Sequence, residues 1–342
     1  MFVNGRAAAG PASGLRTYAR EITRRLPDEV SAVEPPLRAR TGVAGKVWEQ
    51  TALAAASRRG PLWSPAPSGP LQHRRHVVTI HDLAPMDDPT AVRRGFANGF
   101  TWLVPRLARR ASFVVTSSLR SAERIETVLG VPGDRIRVVR PALPSSLSLD
   151  ARGRDDARRS LAEQLGVDPE GRWVGGLVHG GARKRSHEVV RVLDEMVESG
   201  AAERAVVAGW GGPRQVFGDE QRPVGRHVVD LGGVADADLA RLYRSLDVFV
   251  CAAQHEGFCM PVIEAAAAGA AVVTTPVPAA VEILDRSAWI CDVDELSSAT
   301  AEALADDTER SRRAARAAES AISLDWDRSA KEIAELLQEL TP

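Results

Sequence analysis

Two glutamates eight positions apart, Glu256 and Glu264, stand in the segment QHEGFCMPVIEAAAAGAAVVTT, residues 254–275. A carboxylate accepts hydrogen bonds from vicinal hydroxyls such as those of a ribose or hexose, so the pair suits a hydroxyl-rich ligand. Upstream, Arg183 and Lys184 follow Gly180 and Gly181 just past an apolar run. Two cations in such a loop suit a diphosphate, which they would neutralise and stabilise as a leaving group. His81 closes the apolar run HVVTI and precedes Asp82. Neighbouring strand residues point to opposite faces and the chain has no G-x-S-x-G turn, so these two do not read as a hydrolase dyad. Taken singly, each feature has a plain alternative. The glutamates could be ordinary acids at a helix start, the basic pair a surface charge run and the histidine a structural one.

The elements around them sharpen the reading. Residues 246–253 (LDVFVCAA) read as a buried strand, Pro261 suits the first position of a helix running to about Ala268, and Gly269 suits the residue past its end. With AVVTT as the next strand this is a βαβ unit. Glu256 is then expected in the loop beyond a strand's carboxyl end and Glu264 in the helix's first turn, both toward the crevice where open α/β sheets bind ligands. Backbone N–H groups around Gly257, Phe258, Cys259 and Met260 suit phosphate. Further strands are expected near residues 1–4, 61–64, 76–81, 112–117, 136–140, 173–178, 204–208 and 228–231, with helices between them. The alternation implies parallel sheets in an α/β fold.

At 342 residues the chain exceeds one ordinary core. The Ser-, Asp- and Arg-rich stretch 143–159 reads as a linker, giving domains at 1–148 and 149–324 and a last helix at 325–342. The net charge of −1 conceals a division. Residues 1–145 carry 22 Lys+Arg and 11 Asp+Glu, a net of +11, and the remainder 22 and 34, a net of −12. A basic half suggests anionic partners such as a membrane face, against the plain alternative of an arginine-rich solvated surface. Recognition helices, zinc fingers and aromatic-interleaved RNA motifs are missing, so nucleic acid is not expected. Cys251, Cys259 and Cys291 show no C-x-x-C spacing and read as reduced thiols, with no zinc site or disulfide framework. His73 and His76 flank two arginines and are expected at the surface. No signal-like or 18-residue apolar segment is seen, so a cytoplasmic protein is expected. The helix bearing Phe96, Phe100, Leu103, Val104 and Leu107 among arginines reads as a core stripe or a membrane-resting face. A G-x-G-x-x-G with a following acid is absent, which argues against a nicotinamide dehydrogenase.

EGFCMPVIEAAAAGAAVV resembles the E-x7-E motif of the family 4 retaining glycosyltransferases. Ordered matches along nearly the whole chain accompany it. SGLRTYAREI resembles the amino-terminal glycine loop and helix, with Gly14 its named residue, and VVTIHDLAP the strand bearing the active-site histidine. VVTSSLRSAERI, VVRPALP, the Arg183-Lys184 pair, LGGVADADLARLYRSLDVFV with Val234, and DWDRSAKEIAELL follow in order. The resemblance implies a GT-B fold, two Rossmann-like domains facing an interdomain cleft, with a C-terminal helix crossing back onto the first. It implies a donor nucleotide sugar, Glu256 by the sugar, Glu264 on the nucleotide ribose, and His81 in contact with the sugar. Retention of configuration, no cofactor and no metal are implied, Arg183 and Lys184 supplying the charge instead. The expected reaction moves a hexose to a carbohydrate or lipid-linked hydroxyl in polysaccharide or glycolipid assembly, of mannosyl- or rhamnosyltransferase type, with peripheral membrane contact through the basic half. An epimerase, hydrolase or phosphorylase of the same fold, or a non-catalytic sugar-nucleotide-binding subunit, stays open beside it. Cys259 stands where the family usually has glycine, and GGLVHGGARKRSH lacks the acidic and proline residues common before the basic pair.

Overall fold

The computed structural model describes residues 1–10, 13–89, 92–144, 153–209 and 223–341. Chain contacts divide it into two units, Met1–Ala142 with Asp325–Pro342, and Leu143–Leu324. In the first, β1 (Phe2–Asn4), β2 (Ser31–Val33), β3 (Leu62–Ser64), β4 (His76–Thr79), β5 (Phe113–Thr116) and β6 (Ile136–Val138) form one sheet in the order β2-β1-β3-β4-β5-β6. In the second, β7 (Trp173–Val178), β8 (Arg204–Gly209), β9 (Val228–Asp230), β10 (Val248–Cys251), β11 (Ala271–Thr274) and β12 (Trp289–Ile290) form another, in the order β12-β11-β10-β7-β8-β9. Every pairing among the described residues is parallel. Helices cover both faces, so central strands are buried on both sides and read as continuous β-branched runs.

In the second sheet the chain runs from β7 outward to β9, then returns to place β10 on the other flank of β7. That reversal is the point where open α/β sheets leave a crevice beyond their carboxyl ends. Alternation along β10 divides the packing. Phe249 joins Trp173, Tyr243, Ile263 and Val272 on one face, while Val248 and Val250 join Val189, Leu193 and Val273 on the other. Gly176 allows the close approach. A Cβ there would lie 2.6 Å from a Val189 methyl and 2.7 Å from the Val250 carbonyl oxygen.

In the first unit the last helix, Trp326–Glu339, is held by a Ser329 hydroxyl donating to the Arg140 carbonyl at 2.6 Å and by Trp326 against Tyr18, centroids 5.9 Å apart.

Four expectations need correcting. The stretch read as a linker is already helical from Arg154, where a helix to Leu165 is fastened by Arg154 and Arg158 to the nearly buried Asp247. Burial of that carboxylate demands partners, and arginines that looked like linker charge supply them. His76 is not at the surface. It opens β4 at 1% exposure, bonded to Ser64 Oγ at 2.9 Å, and burial pushes its pKa down to about 3. Of the stripe on the helix Arg94–Arg110, Leu103, Val104 and Leu107 are core and Phe100 packs partly buried against it, but Phe96 is exposed at 41%, as is its helix neighbour Trp102 at 54%. Lastly, β2 and β12 were not expected, being two or three residues long without a run of β-branched residues to mark them.

Candidate functional site

Beyond β7 the chain passes through His179, Gly180 and Gly181 into a tight turn, Ala182–Lys184, and then the helix Ser186–Glu198. Gly181 has φ +111°, a backbone that a larger residue rarely adopts, so the glycine is what lets the turn double back. Ser186 Oγ accepts from the His179 N–H at 2.9 Å and donates to the His179 carbonyl at 2.8 Å, closing the loop. Beyond β10 lies the loop 252–259, and the two loops are stitched together. The Gln254 N–H donates to the Arg183 carbonyl at 2.8 Å, and Arg183 Nη1 donates to the His255 carbonyl at 2.7 Å.

These bonds bring three predicted residues into one cluster. Glu256 Oε1 accepts from Arg183 Nη1 at 2.9 Å and pairs with Lys184 Nζ at 2.7 Å, with side-chain exposures of 10%, 18% and 21% respectively. Burial alone would push the Glu256 carboxyl up, but Lys184 and Arg183 outweigh it and hold it below its ordinary value. Burial likewise works against the Lys184 ammonium, yet the Glu256 carboxylate outweighs it and raises its pKa. All three stay charged at neutral pH. His179, beside them, is pushed down to about 4, first by burial and then by the Lys184 charge, and is therefore neutral.

The second carboxylate behaves in the opposite way. Glu264 lies in the helix Met260–Ala267, which starts one residue before Pro261, and is its fifth residue rather than part of the first turn. It accepts a hydrogen bond from the fully buried Tyr243 hydroxyl at 2.9 Å. Burial pushes its pKa up to about 7, with Asp236 adding to the rise and Tyr243 opposing it. One fold thus holds Glu256 anionic and Glu264 on the edge of ionising.

Cys259, in the glycine position of the E-x7-E pattern, keeps a glycine-like backbone at φ +81° and is 4% exposed. A non-glycine residue in that region costs roughly 1–2 kcal/mol, so the loop imposes its geometry on the side chain. Phe258 is buried in the core and its carbonyl accepts from the Ala279 N–H at 2.9 Å. Its side chain is therefore a core anchor, and Met260 and Val234 pack partly buried against the same core. Gly257 is buried in the loop, while Gly180 has open space where a Cβ would stand.

In the first unit, His81 lies just past β4, its ring edge-on to Tyr18 with centroids 4.7 Å apart. Its Nε2 is 3.2 Å from the Pro65 carbonyl oxygen. A carbonyl can only accept, so Nε2 carries the proton and Nδ1 remains an acceptor. Burial lowers the ring's pKa, keeping it neutral. Gly14 opens the helix Gly14–Thr23, capped by Ser13 Oγ accepting from the Arg16 N–H at 3.3 Å. Residues 11 and 12 of the predicted glycine loop lie outside the described residues.

Residues 171–306 match the family model for glycosyl transferases group 1, a span that holds both loops and both glutamates. The matched residues are about two fifths of the chain, and over them it is similar to the group 1 glycosyl transferases. It is 26% identical over 215 residues to the MMP alpha-(1->4)-mannosyltransferase of Mycolicibacterium hassiacum, covering 60% of this chain and 48% of that protein. It is 27% identical over 212 residues to the GDP-mannose-dependent alpha-mannosyltransferase of Corynebacterium glutamicum, covering 55% and 49%. The chain spans about half the length of these curated relatives. The solved structure of Anabaena HepE in complex with UDP and glucose superposes with a TM-score of 0.71 at 17% identity, over 99% of this chain and 98% of that one. The fold is GT-B.

Sequence reasoning missed two groups in this chain. Tyr243 and His179 join the site only because the helix Asp236–Ser245 and the end of β7 are folded beside it; no spacing announces them. In the first unit, the fully buried Glu49 accepts from Arg6 Nη1 at 3.0 Å, Asn4 Nδ2 at 3.2 Å and Ser68 Oγ at 2.5 Å. It sits beyond β1 and β3, where that sheet's order reverses, on a π-helical turn Glu49–Leu53. Such turns are frequent at functional sites. Among the described residues no group of three or more His, Cys, Asp or Glu forms a metal-ligand cluster, and no helix is long and apolar enough to cross a membrane.

Proposed function

We propose that the chain moves a hexose from a nucleoside-diphosphate sugar to a hydroxyl acceptor with retention of configuration. The observation that carries this reading is the Arg183–Lys184–Glu256 cluster at the carboxyl ends of β7 and β10, with Glu264 one helix away. Arg183 and Lys184 would stabilise the negative charge that grows on the diphosphate as the glycosidic bond breaks, doing so without a metal. Glu264, held by Tyr243, would accept from the ribose hydroxyls, and Glu256 would contact the sugar while it orients both cations. His81 Nδ1, an acceptor by its tautomer, would take a hydrogen bond from a sugar hydroxyl. In a front-face displacement the departing phosphate helps deprotonate the acceptor, which needs no protein nucleophile on the far side of the sugar.

Two mannosyltransferases among the relatives, one of them GDP-mannose-dependent by name, make GDP-mannose the first donor to try. For the acceptor, the basic half and the exposed Phe96 and Trp102, with Arg106 4.6 Å over the Trp102 ring, favour peripheral contact with an anionic membrane and a lipid-linked hydroxyl. The test is incubation with GDP-mannose and a panel of glycan and lipid acceptors, following GDP release and the product's anomeric proton by NMR. An α-linked product from the α-configured donor supports the reading. GDP and free sugar released at the same rate with and without every acceptor would support the hydrolase instead.

A further inference from the structure

Cys251 is the last residue of β10 and Cys259 immediately precedes the helix Met260–Ala267, so the loop carrying Glu256 begins at one cysteine and ends at the other. Their sulfur atoms are 3.8 Å apart. A disulfide needs about 2.05 Å, so a closure of under 2 Å would join them. Cys251 is partly exposed whereas Cys259 is 4% exposed, which gives one thiol reachable by a small oxidant and a second sheltered behind it. We propose that Cys251 and Cys259 are a peroxide-oxidisable dithiol whose disulfide draws tight the loop bearing Glu256 and so weakens the grip on the donor.

The chemistry balances with a hydroperoxide as oxidant. The Cys251 thiolate attacks the peroxide oxygen, breaking the O–O bond, and leaves a sulfenic acid plus water or an alcohol. Cys259 sulfur then attacks the sulfenyl sulfur, the S–S bond forms, and hydroxide departs to take up the thiol proton as water. Two thiols lose two electrons and two protons, and one hydroperoxide gains them. The surroundings favour this order. Either sulfur can donate in the contact between them; with Cys259 as donor the Cys251 thiol is lowered from its ordinary value against the effect of burial, Lys184 contributing, while Cys259 is pushed up. Cys291 is an internal control, since burial and then Glu295 and Asp292 push it up to about 11.

Both cysteines fall in one tryptic peptide, residues 245–286, and Cys291 in the next, residues 287–310. The reduced full chain is treated with hydrogen peroxide, alkylated with iodoacetamide and digested. The expected result is a 245–286 peptide that has lost two hydrogens and escapes alkylation, recovers both thiols after dithiothreitol, and appears alongside an alkylated Cys291. Cys291→Ser should leave the cross-link intact and Cys259→Gly should abolish it. Alkylation of both thiols after peroxide, or a Cys251 sulfinic acid beside an alkylated Cys259, overturns the proposal. The effect on the donor rests on the function proposed above and is read by GDP titration. The oxidised chain should bind at least about tenfold more weakly than the same sample after dithiothreitol. Equal affinity overturns the loop-tightening claim. A reduced chain that does not bind GDP counts against the donor site itself, a failure the peptide masses keep separate.

Discussion

Glu256→Gln removes one negative charge from the cluster and leaves its shape. Oε1 meets Lys184 at 2.7 Å and Arg183 at 2.9 Å, and all three side chains are less than a quarter exposed. At an effective dielectric of about 20, each contact is worth roughly 6 kcal/mol before desolvation. Much of that is cancelled by burying the charges, and measured losses on removing one partner of a buried pair run to about 3–5 kcal/mol. These side chains keep some water, so the lower end, about 3 kcal/mol, is expected. For a unit of this size that corresponds to a fall in Tm of roughly 6–12 °C by calorimetry. The variant leaves two cations without their anion, and a diphosphate can supply it. Saturating GDP should therefore raise the Tm of Glu256→Gln by more than that of the native chain. A variant melting within about 2 °C of the native chain, with the same response to GDP, would refute the reasoning, because Arg183 and Lys184 would then not depend on Glu256.

Three further outcomes are expected. Glu264 has a folded pKa raised to about 7, so the stability it contributes is complete below its ordinary unfolded value and is lost as pH rises through 7. GDP affinity should run the other way, growing as the carboxylate forms; calorimetry from pH 6 to 8 on the native chain and Glu264→Gln should show both slopes flattened in the variant. Tyr243→Phe removes the bond that opposes the rise, so the midpoint of the affinity profile should move to higher pH while affinity at pH 8 falls about fivefold, and an unmoved midpoint would exclude that bond. The full chain should sediment with anionic vesicles at low salt and release as salt passes about 0.1 M, where the Debye length is near 10 Å; no sedimentation at low salt would dispose of the membrane contact.

Much of this was legible in the sequence because it depended on local periodicity. Apolar runs such as HVVT and VFVC became β4 and β10, and strand, loop, helix, glycine, strand around Glu256 formed as read. The parts that were not legible are those decided by distant partners. Arg154 and Arg158 looked like linker charge until folding set Asp247 beside them. His76 looked solvated because its neighbours are arginines, but strand pairing turns its ring inward to Ser64. Spacing set Glu256 in the loop and Glu264 on the helix that follows; it carried no information on their opposite ionisation, which comes from Lys184 and Arg183 on one side and, on the other, from burial that the Tyr243 hydrogen bond only partly opposes.

The donor site is the central claim, and titration of GDP into the folded chain in EDTA tests it most directly. The native chain should bind without added metal, and Arg183→Ala with Lys184→Ala should bind at least about 100-fold more weakly, near 2.7 kcal/mol, while its circular dichroism is unchanged. Equal affinity in the two proteins, or native binding that appears only when manganese is restored, would contradict it.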